Sequence, residues 1–337
     1  MKKNLVWINL IKGFCILLVY LNHSEIFYGI STDWFIRLYQ PFFVNLFFII
    51  SGYLLFKKYV YIDKCQKFNT GGYLKNILFR IIIPSIIFTT IIFFPKQIIR
   101  GQDIEIQKFL NDTIGGCSAW FTSAFAIAQL LLVIFFKYKC SKISIYIIYG
   151  FILTIIANYL TISGFDINYY YFKSGMIATL FISIGGLYFK YEDKISRVLQ
   201  NKWSLIINSL FLILYVYITT KTNILLSSVN SGFVNVAGVI FATYISINII
   251  LLIKQLPDIP VVSFIGKNSI VFYFLSGAIP NVIAIIAQHV LPVSLIGLLV
   301  VCVLSVILAY AAVYIITLYF PWLTDVRLIK SKKDKFI

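Results

Sequence analysis

Apolar runs of about the length a helix needs to cross a bilayer recur from one end of this chain to the other, with short loops between them. A bilayer core takes roughly 20 mostly apolar residues per helix. On that scale ten runs stand out, near residues 5–26, 41–55, 74–94, 119–136, 143–160, 176–189, 205–218, 233–253, 270–287 and 293–320. The second and sixth are short, so nine or eleven helices would also fit. Sixty per cent of the 337 residues are apolar and only 12% are charged. Soluble domains carry roughly 25% charged residues, so too little polar surface is left to cover a soluble particle. The predicted fold class is an all-α, polytopic integral membrane protein with about ten transmembrane helices. No signal-peptide cleavage pattern marks the first run, which is long enough to remain as a helix. A membrane domain over residues 1–325 and a basic tail over 326–337 account for the chain.

The net charge of +17 would raise the question of nucleic acid in a soluble protein. In a membrane protein the informative quantity is where the charges sit. With the N-terminus inside, inner segments carry Lys2, Lys3, Lys57, Lys58, Lys64, Lys67, Lys137, Lys139, Lys142, Lys190, Lys194, Arg197, Lys202 and Lys254. The tail adds Arg327, Lys330, Lys332, Lys333 and Lys335, whereas outer segments hold only Arg37, Lys96, Arg100, Lys108, Lys173 and Lys221. This is the positive-inside pattern. It recurs in alternate loops, favours an even helix count and puts both termini in the cytoplasm. The charge therefore reads as topology, with the lipid bilayer and not nucleic acid as the chain's surroundings. Cys15, Cys65, Cys117, Cys140 and Cys302 show no CxxC or zinc spacing, so neither a metal site nor a disulfide framework is predicted.

Against this apolar background, ionisable residues within the runs are functional candidates by default. The first run holds Lys12 and His23, with Glu25 at its outer edge. Lys12 and His23 are eleven positions apart, about three helical turns plus roughly 20°, so they share a face and stand ~16 Å apart along the axis. Asn9, Cys15, Ile16, Val19 and Asn22 lie on the same face, a stripe too polar for lipid. Snorkelling to the inner interface competes as a reading of Lys12, and an ordinary interfacial position as a reading of His23. The other histidine, His289, falls in the last outer loop. In the second run lie Asn45 and the small pair Ser51-Gly52, which would also permit close helix packing. Lys75 and Arg80 open the third run before Pro84, where positive-inside anchoring competes with a binding role. The ninth opens on Gly266-Lys267-Asn268-Ser269, a helix start with a lysine beside it and so a phosphate-site candidate. Its Ser276, Gly277 and Pro280 predict a kink or break. Cations at the cytoplasmic level and a histidine near the opposite face suit a long ligand with an anionic head, such as coenzyme A. A generic transporter also accounts for this geometry.

Five segments, in order along most of the chain, carry a family resemblance. Lys12 to His23, in IKGFCILLVYLNHS, matches a basic-x10-His motif. Phe47 to Tyr53 gives an FFxxSGY-like signature. KNILFRIIIP is a basic run before proline, Trp120-Phe121 is an aromatic pair at a helix start, and Ile265 to Phe274 reads IGKNSIVFYF. In these the chain resembles the membrane-bound acyltransferase-3 family, which acylates bacterial cell-surface sugars. It departs from the family at Asn9, where an acid is common, at Ile77, where an arginine is common, and at Ser276, where a histidine is common. Some relatives carry an added extracytoplasmic domain; the segment after the last run here is a short basic tail, so the domain is expected to act alone or with a separate partner.

The resemblance implies a multi-pass protein of the bacterial cytoplasmic membrane that moves an acyl group to a hydroxyl of a surface polysaccharide or undecaprenyl-linked sugar. Acetyl-CoA, or another acyl-CoA, would be the co-substrate, with no permanently bound cofactor. His23 would be the general base, and Lys12, Arg80, Lys75 and Lys267 would hold coenzyme A phosphates. Asn22, Glu25 or Asn45 would orient the imidazole, and Trp120 or Tyr169, Tyr170 and Tyr171 would stack on the sugar; an aromatic belt at the interface explains the latter equally well. A homo-oligomer is compatible with this reading. The competing class is a lipid-linked sugar flippase or other glycan exporter, for which the repeated halves common in transporters are not visible. A glycan polymerase is a third reading, disfavoured by the short outer loops. Consumption of acetyl-CoA separates an acyltransferase from both.

Overall fold

In hydrocarbon every backbone N–H and C=O must be satisfied within the chain, which is why runs of this kind fold as helices. The computed structural model describes residues 6–30, 33–61, 68–99, 101–138, 142–165, 169–199 and 227–323, with short pieces between 206 and 218. The helices are α1 (Val6–Tyr28), α2 (Asp33–Phe56), α3 (Thr70–Ile77), α4 (Ile83–Ile99), α5 (Ile106–Thr113), α6 (Trp120–Lys137), α7 (Ile143–Ile162), α8 (Phe172–Leu199), α9 (Val236–Ile253), α10 (Pro260–Lys267), α11 (Ser269–Ser276), α12 (Ile279–Val290) and α13 (Leu295–Tyr319). Two antiparallel two-residue strands, Ser227–Ser228 and Phe233–Val234, are the only ones among the described residues.

Among the described residues eight helices are long and apolar enough to cross a membrane, and nine if α11 and α12, bent by 43°, count as one span. The bend falls at Gly277, where the sequence predicts a break. The expected run at 205–218 lies largely outside the described residues, as do both termini and the basic tail. Three spans, Thr70–Ile98, Ile106–Lys137 and Tyr169–Leu199, are longer than the runs expected there. Between α3 and α4 the turn Leu78–Ile82 is π-helical, with the Ile83 amide donating to the Leu78 carbonyl. Pro84 offers no N–H and its ring crowds the carbonyl four residues back, that of Arg80; a widened turn there relieves the clash. The outer loop expected around residues 97–116 contains the short helix α5.

The chain divides into two compact units. The first comprises residues 1–32, 72–123 and 258–337. Within it α1 packs on α10, α11, α12 and α13. The approach to α10 is close because both faces present glycine: a Cβ on Gly13 would overlap the Val262 carbonyl oxygen, and one on Gly266 the Asn9 carbonyl oxygen. The Tyr20 hydroxyl donates to the Phe272 carbonyl at 3.0 Å and the Tyr28 hydroxyl to the Pro292 carbonyl at 2.9 Å. Gly29, at φ 77°, ends α1, and the Gln288 amide donates to the otherwise unsatisfied Phe27 and Tyr28 carbonyls.

The second unit comprises residues 33–71 and 124–257. Its axis is α8, buried at every position from Ser174 to Gly186, which is how a helix apolar all round must sit. The pair predicted to permit close packing does so: Gly52 of α2 meets the Ile182 carbonyl of α8, and Gly185 of α8 meets the Ile49 carbonyl of α2, with no room for a Cβ at either. At the ends of α2, α8 and α9 a polar cluster ties the three helices. The Tyr53 hydroxyl donates to Glu192 at 2.9 Å, and Lys254 pairs with Glu192 and donates to the Tyr188 hydroxyl at 2.9 Å.

Candidate functional site

His23 lies five residues before the C-terminal end of α1 and faces a cavity of about 110 Å³. The wall is assembled from three further segments of the same unit. Thr89, Ile92, Phe93 and Lys96 come from one face of α4; Ser118 and Trp120 from the turn entering α6; Tyr273, Phe274, Ser276 and Gly277 from the end of α11 and the bend behind it. The space exists because α11 stops there: a Cβ on Gly277 would meet no atom within 4 Å.

Local chemistry fixes each wall. The turn into α6 is made by Gly116, in the left-handed region at φ 70°. Ser123 Oγ donates back to the Gly116 carbonyl at 3.0 Å, and Ser85 of α4 shares a 3.2 Å hydrogen bond with Thr122. Phe88 of α4 stacks on Phe274 of α11 with centroids 5.0 Å apart. Across the cavity, the Tyr273 hydroxyl accepts the Phe121 amide at 3.1 Å, one of the first amides of α6. That bond uses a lone pair of the hydroxyl and points the positive end of a helix at it. Ser276 Oγ donates to the Tyr273 carbonyl at 2.7 Å, and Thr89 Oγ1 to the Ser85 carbonyl at 2.7 Å.

The imidazole of His23 stacks on Phe27 one turn further along α1, with centroids 5.7 Å apart and planes 13° from parallel. Its Nδ1 is buried and has no hydrogen-bond partner among the described residues. Buried polar atoms are nearly always paired, so an unpaired imidazole nitrogen in a residue that lines a cavity is an exception that calls for a chemical role. An imidazole that lines a cavity can take a proton from a ligand hydroxyl and return it.

Of the residues singled out from sequence, Trp120 joins His23 in the cavity wall. Lys12 is half-buried three turns below His23 on α1, while Arg80, Lys75 and Lys267 are exposed on the same unit. Lys267 closes α10 instead of opening a helix. Asn268 follows it with no side-chain cap, and its amide donates back to the Phe264 carbonyl. The expected helix start is therefore preceded directly by another helix, with Asn268 between the two. Asn22 is half-buried. Glu25 is buried, about 200° around the helix from His23, beside Cys302 of α13; the structure does not bring it to the imidazole. Asn45 is buried in the second unit, as part of α2, and Tyr170 and Tyr171 take positive φ values of 54° and 48° ahead of α8.

Lys96, Tyr273, Thr89 and Ser118 are in the wall without having been singled out. The IGKNSIVFYF segment carried Tyr273 all along, and a tyrosine three residues before the departure at Ser276 is the signal that could have found it. Nothing in the sequence sets Lys96 apart from other outer-loop lysines.

The fold and the cavity define a multi-pass α-helical membrane protein with a histidine-centred chamber between its helices. The chain matches the model of the acyltransferase domain of the acyltransferase-3 family over residues 5–325, and it belongs to that family. Among curated proteins and among solved structures nothing matches it.

Proposed function

We propose that the chain transfers an acetyl group from acetyl-CoA to a hydroxyl of a bacterial surface polysaccharide or lipid-linked sugar, with His23 as general base. The observation that carries this reading is His23 in the wall of a cavity, with a buried Nδ1 that has no partner among the described residues, in a chain of acyltransferase family membership. The sugar hydroxyl oxygen attacks the thioester carbonyl carbon as its proton passes to His23. The carbonyl electron pair moves onto oxygen and then returns, expelling the coenzyme A thiolate, which takes the proton from the imidazolium. The products are the sugar ester and free thiol, and His23 ends as it began. An unperturbed imidazole titrates near neutrality, which suits a group that must take and return one proton. Lys12 and Arg80 would hold the coenzyme A phosphates by charge-assisted hydrogen bonds, with the pantetheine arm running along the α1 face that joins Lys12 to His23. Trp120 would offer its ring to the sugar.

The test is His23→Ala in cells whose surface glycan is assayed for O-acetyl groups by NMR. General acid–base help is worth roughly 10²–10⁴-fold, so acetylation is expected to fall below detection while the protein stays in the membrane. Acetylation at the wild-type level would remove His23 from catalysis.

A further inference from the structure

Neither of the usual structural reasons for a glycine applies to Gly277. Gly13, Gly52, Gly185 and Gly266 leave no room for a Cβ against a neighbouring backbone, and Gly29, Gly101, Gly164 and Gly232 take positive φ. Gly277 stands at φ −84° and ψ −16°, a right-handed conformation open to any residue. A Cβ there would meet no atom within 4 Å, and alanine at such a site would lose less chain entropy on folding. What the missing side chain leaves is space, and Gly277 lines the same cavity as His23. We propose that Gly277 is a specificity-determining residue that limits the length of the transferred acyl chain, holding it to acetyl. This inference rests on the acyl-transfer reading above and adds the residue that sets the chain length.

The size of the cavity supports the same assignment. An apolar cavity of about 150 Å³ is filled by benzene, with about six heavy atoms. On that scale the cavity of about 110 Å³ beside His23 holds about four. The reacting end of an acetyl thioester is of that size: sulfur, carbonyl carbon, carbonyl oxygen and methyl. A hexose ring is too large to share the space with it. Ile92 and Phe93 of α4 and Phe274 of α11 offer the methyl an apolar wall, and Gly277 follows Phe274 by three residues, at the end of the same helix. A longer chain has to push packed side chains aside. One methylene too many in an apolar pocket changes specificity by about 10–200-fold.

For the test, permeabilised cells carrying the full-length protein are given radiolabelled acetyl-, propionyl-, butyryl- and hexanoyl-CoA, and the rate at which label enters the surface glycan is measured for each. Ratios between thioesters in one preparation do not depend on how much of the protein is folded. Wild type is expected to transfer acetyl about tenfold or more faster than butyryl. Gly277→Ala adds roughly the volume of one methylene, so its acetyl-to-propionyl ratio is expected to rise about tenfold, with a melting temperature unchanged or raised. Ile92→Ala widens the α4 wall and is expected to lower the acetyl-to-butyryl ratio. Equal transfer from all four thioesters by wild type, or the wild-type ratios retained in Gly277→Ala, would overturn the proposal and leave acyl transfer standing. Should Gly277→Ala transfer nothing, Ile92→Ala decides: a lowered ratio supports the size limit and an unchanged one overturns it. Label no greater in wild type than in His23→Ala, with every thioester, removes the acyl-transfer reading and this inference with it.

Discussion

His23 and Lys12 were legible at once because a spacing of eleven on a helix fixes both face and separation without any tertiary information. Tyr273 was not, because a tyrosine in VFYF looks like one more member of an apolar run until its partner on another helix is known. That partner is the Phe121 amide. Tyr273→Phe keeps the ring against Phe121 and Phe274 and takes away the acceptor. The expected result is a loss of about 1 kcal/mol, the net worth of one part-buried hydrogen bond, read as a lower melting temperature in detergent. An unchanged melting temperature would mean that the Phe121 amide is satisfied in some other way. Arg80 stands apart from the chamber and belongs, in the proposed mechanism, to the donor. Arg80→Gln is expected to raise the acetyl-CoA concentration for half-maximal transfer about tenfold, the value of one charge-assisted hydrogen bond, with little change at saturation. If labelled acetyl-CoA binds the purified variant as it binds wild type, Arg80 does not hold phosphate. Glu25 shows the opposite limit of sequence reading. Two positions from a histidine sounds close, yet on a helix it is nearly the far side, and the carboxyl is buried beside Cys302.

That the elements are membrane-length helices was legible because hydrocarbon thickness sets their minimum length, but their count and ends were not: eight or nine candidate spans stand among the described residues where ten runs were expected, and several are longer; interruptions were legible only where glycine or proline announces them. Ser276, Gly277 and Pro280 announced the 43° bend that opens the chamber. Pro84 announced a disturbance, but that it takes the form of a π turn at Leu78–Ile82 depends on how the neighbouring carbonyls are used. The short helix at Ile106–Thr113 gave no signal, since eight residues in a polar loop resemble any other loop. Helix contacts follow a simpler rule. With no hydrophobic drive between helices in lipid, small residues that let backbones approach are what hold a pair together, and both units use glycine pairs for it. Gly185→Ala puts a methyl into the Ile49 carbonyl of α2, so the two helices must separate. The expected cost is about 1–3 kcal/mol, seen as a lower melting temperature and less protein in the membrane fraction. Gly101→Ala makes the useful comparison for space: no neighbour lies within 4 Å of its Cβ, so any effect there reports the left-handed backbone at φ 61° and not packing.

At the scale of the whole chain the mechanism depends on sidedness. In the proposed mechanism acyl-CoA comes from the cytoplasm and surface sugars are finished outside, so one end of α1 would have to open to each compartment. The excess of Lys and Arg in alternate loops predicts the Lys12 end in the cytoplasm, and each such lysine moved outward would have to cross the bilayer against that bias. The consequence can be measured in a background lacking the five native cysteines. Asp103→Cys and His289→Cys, both at exposed positions, are expected to react with a membrane-impermeant maleimide added to intact cells. Lys194→Cys and Lys267→Cys, also exposed, are expected to react only after the cells are opened. The opposite pattern would place His23 toward the cytoplasm and Lys12 outside. Arg80 and Lys12 could then never meet acyl-CoA. The proposed donor site is thus tied to topology, because the passage of α1 through the bilayer sets the side on which Lys12 and His23 would do their chemistry.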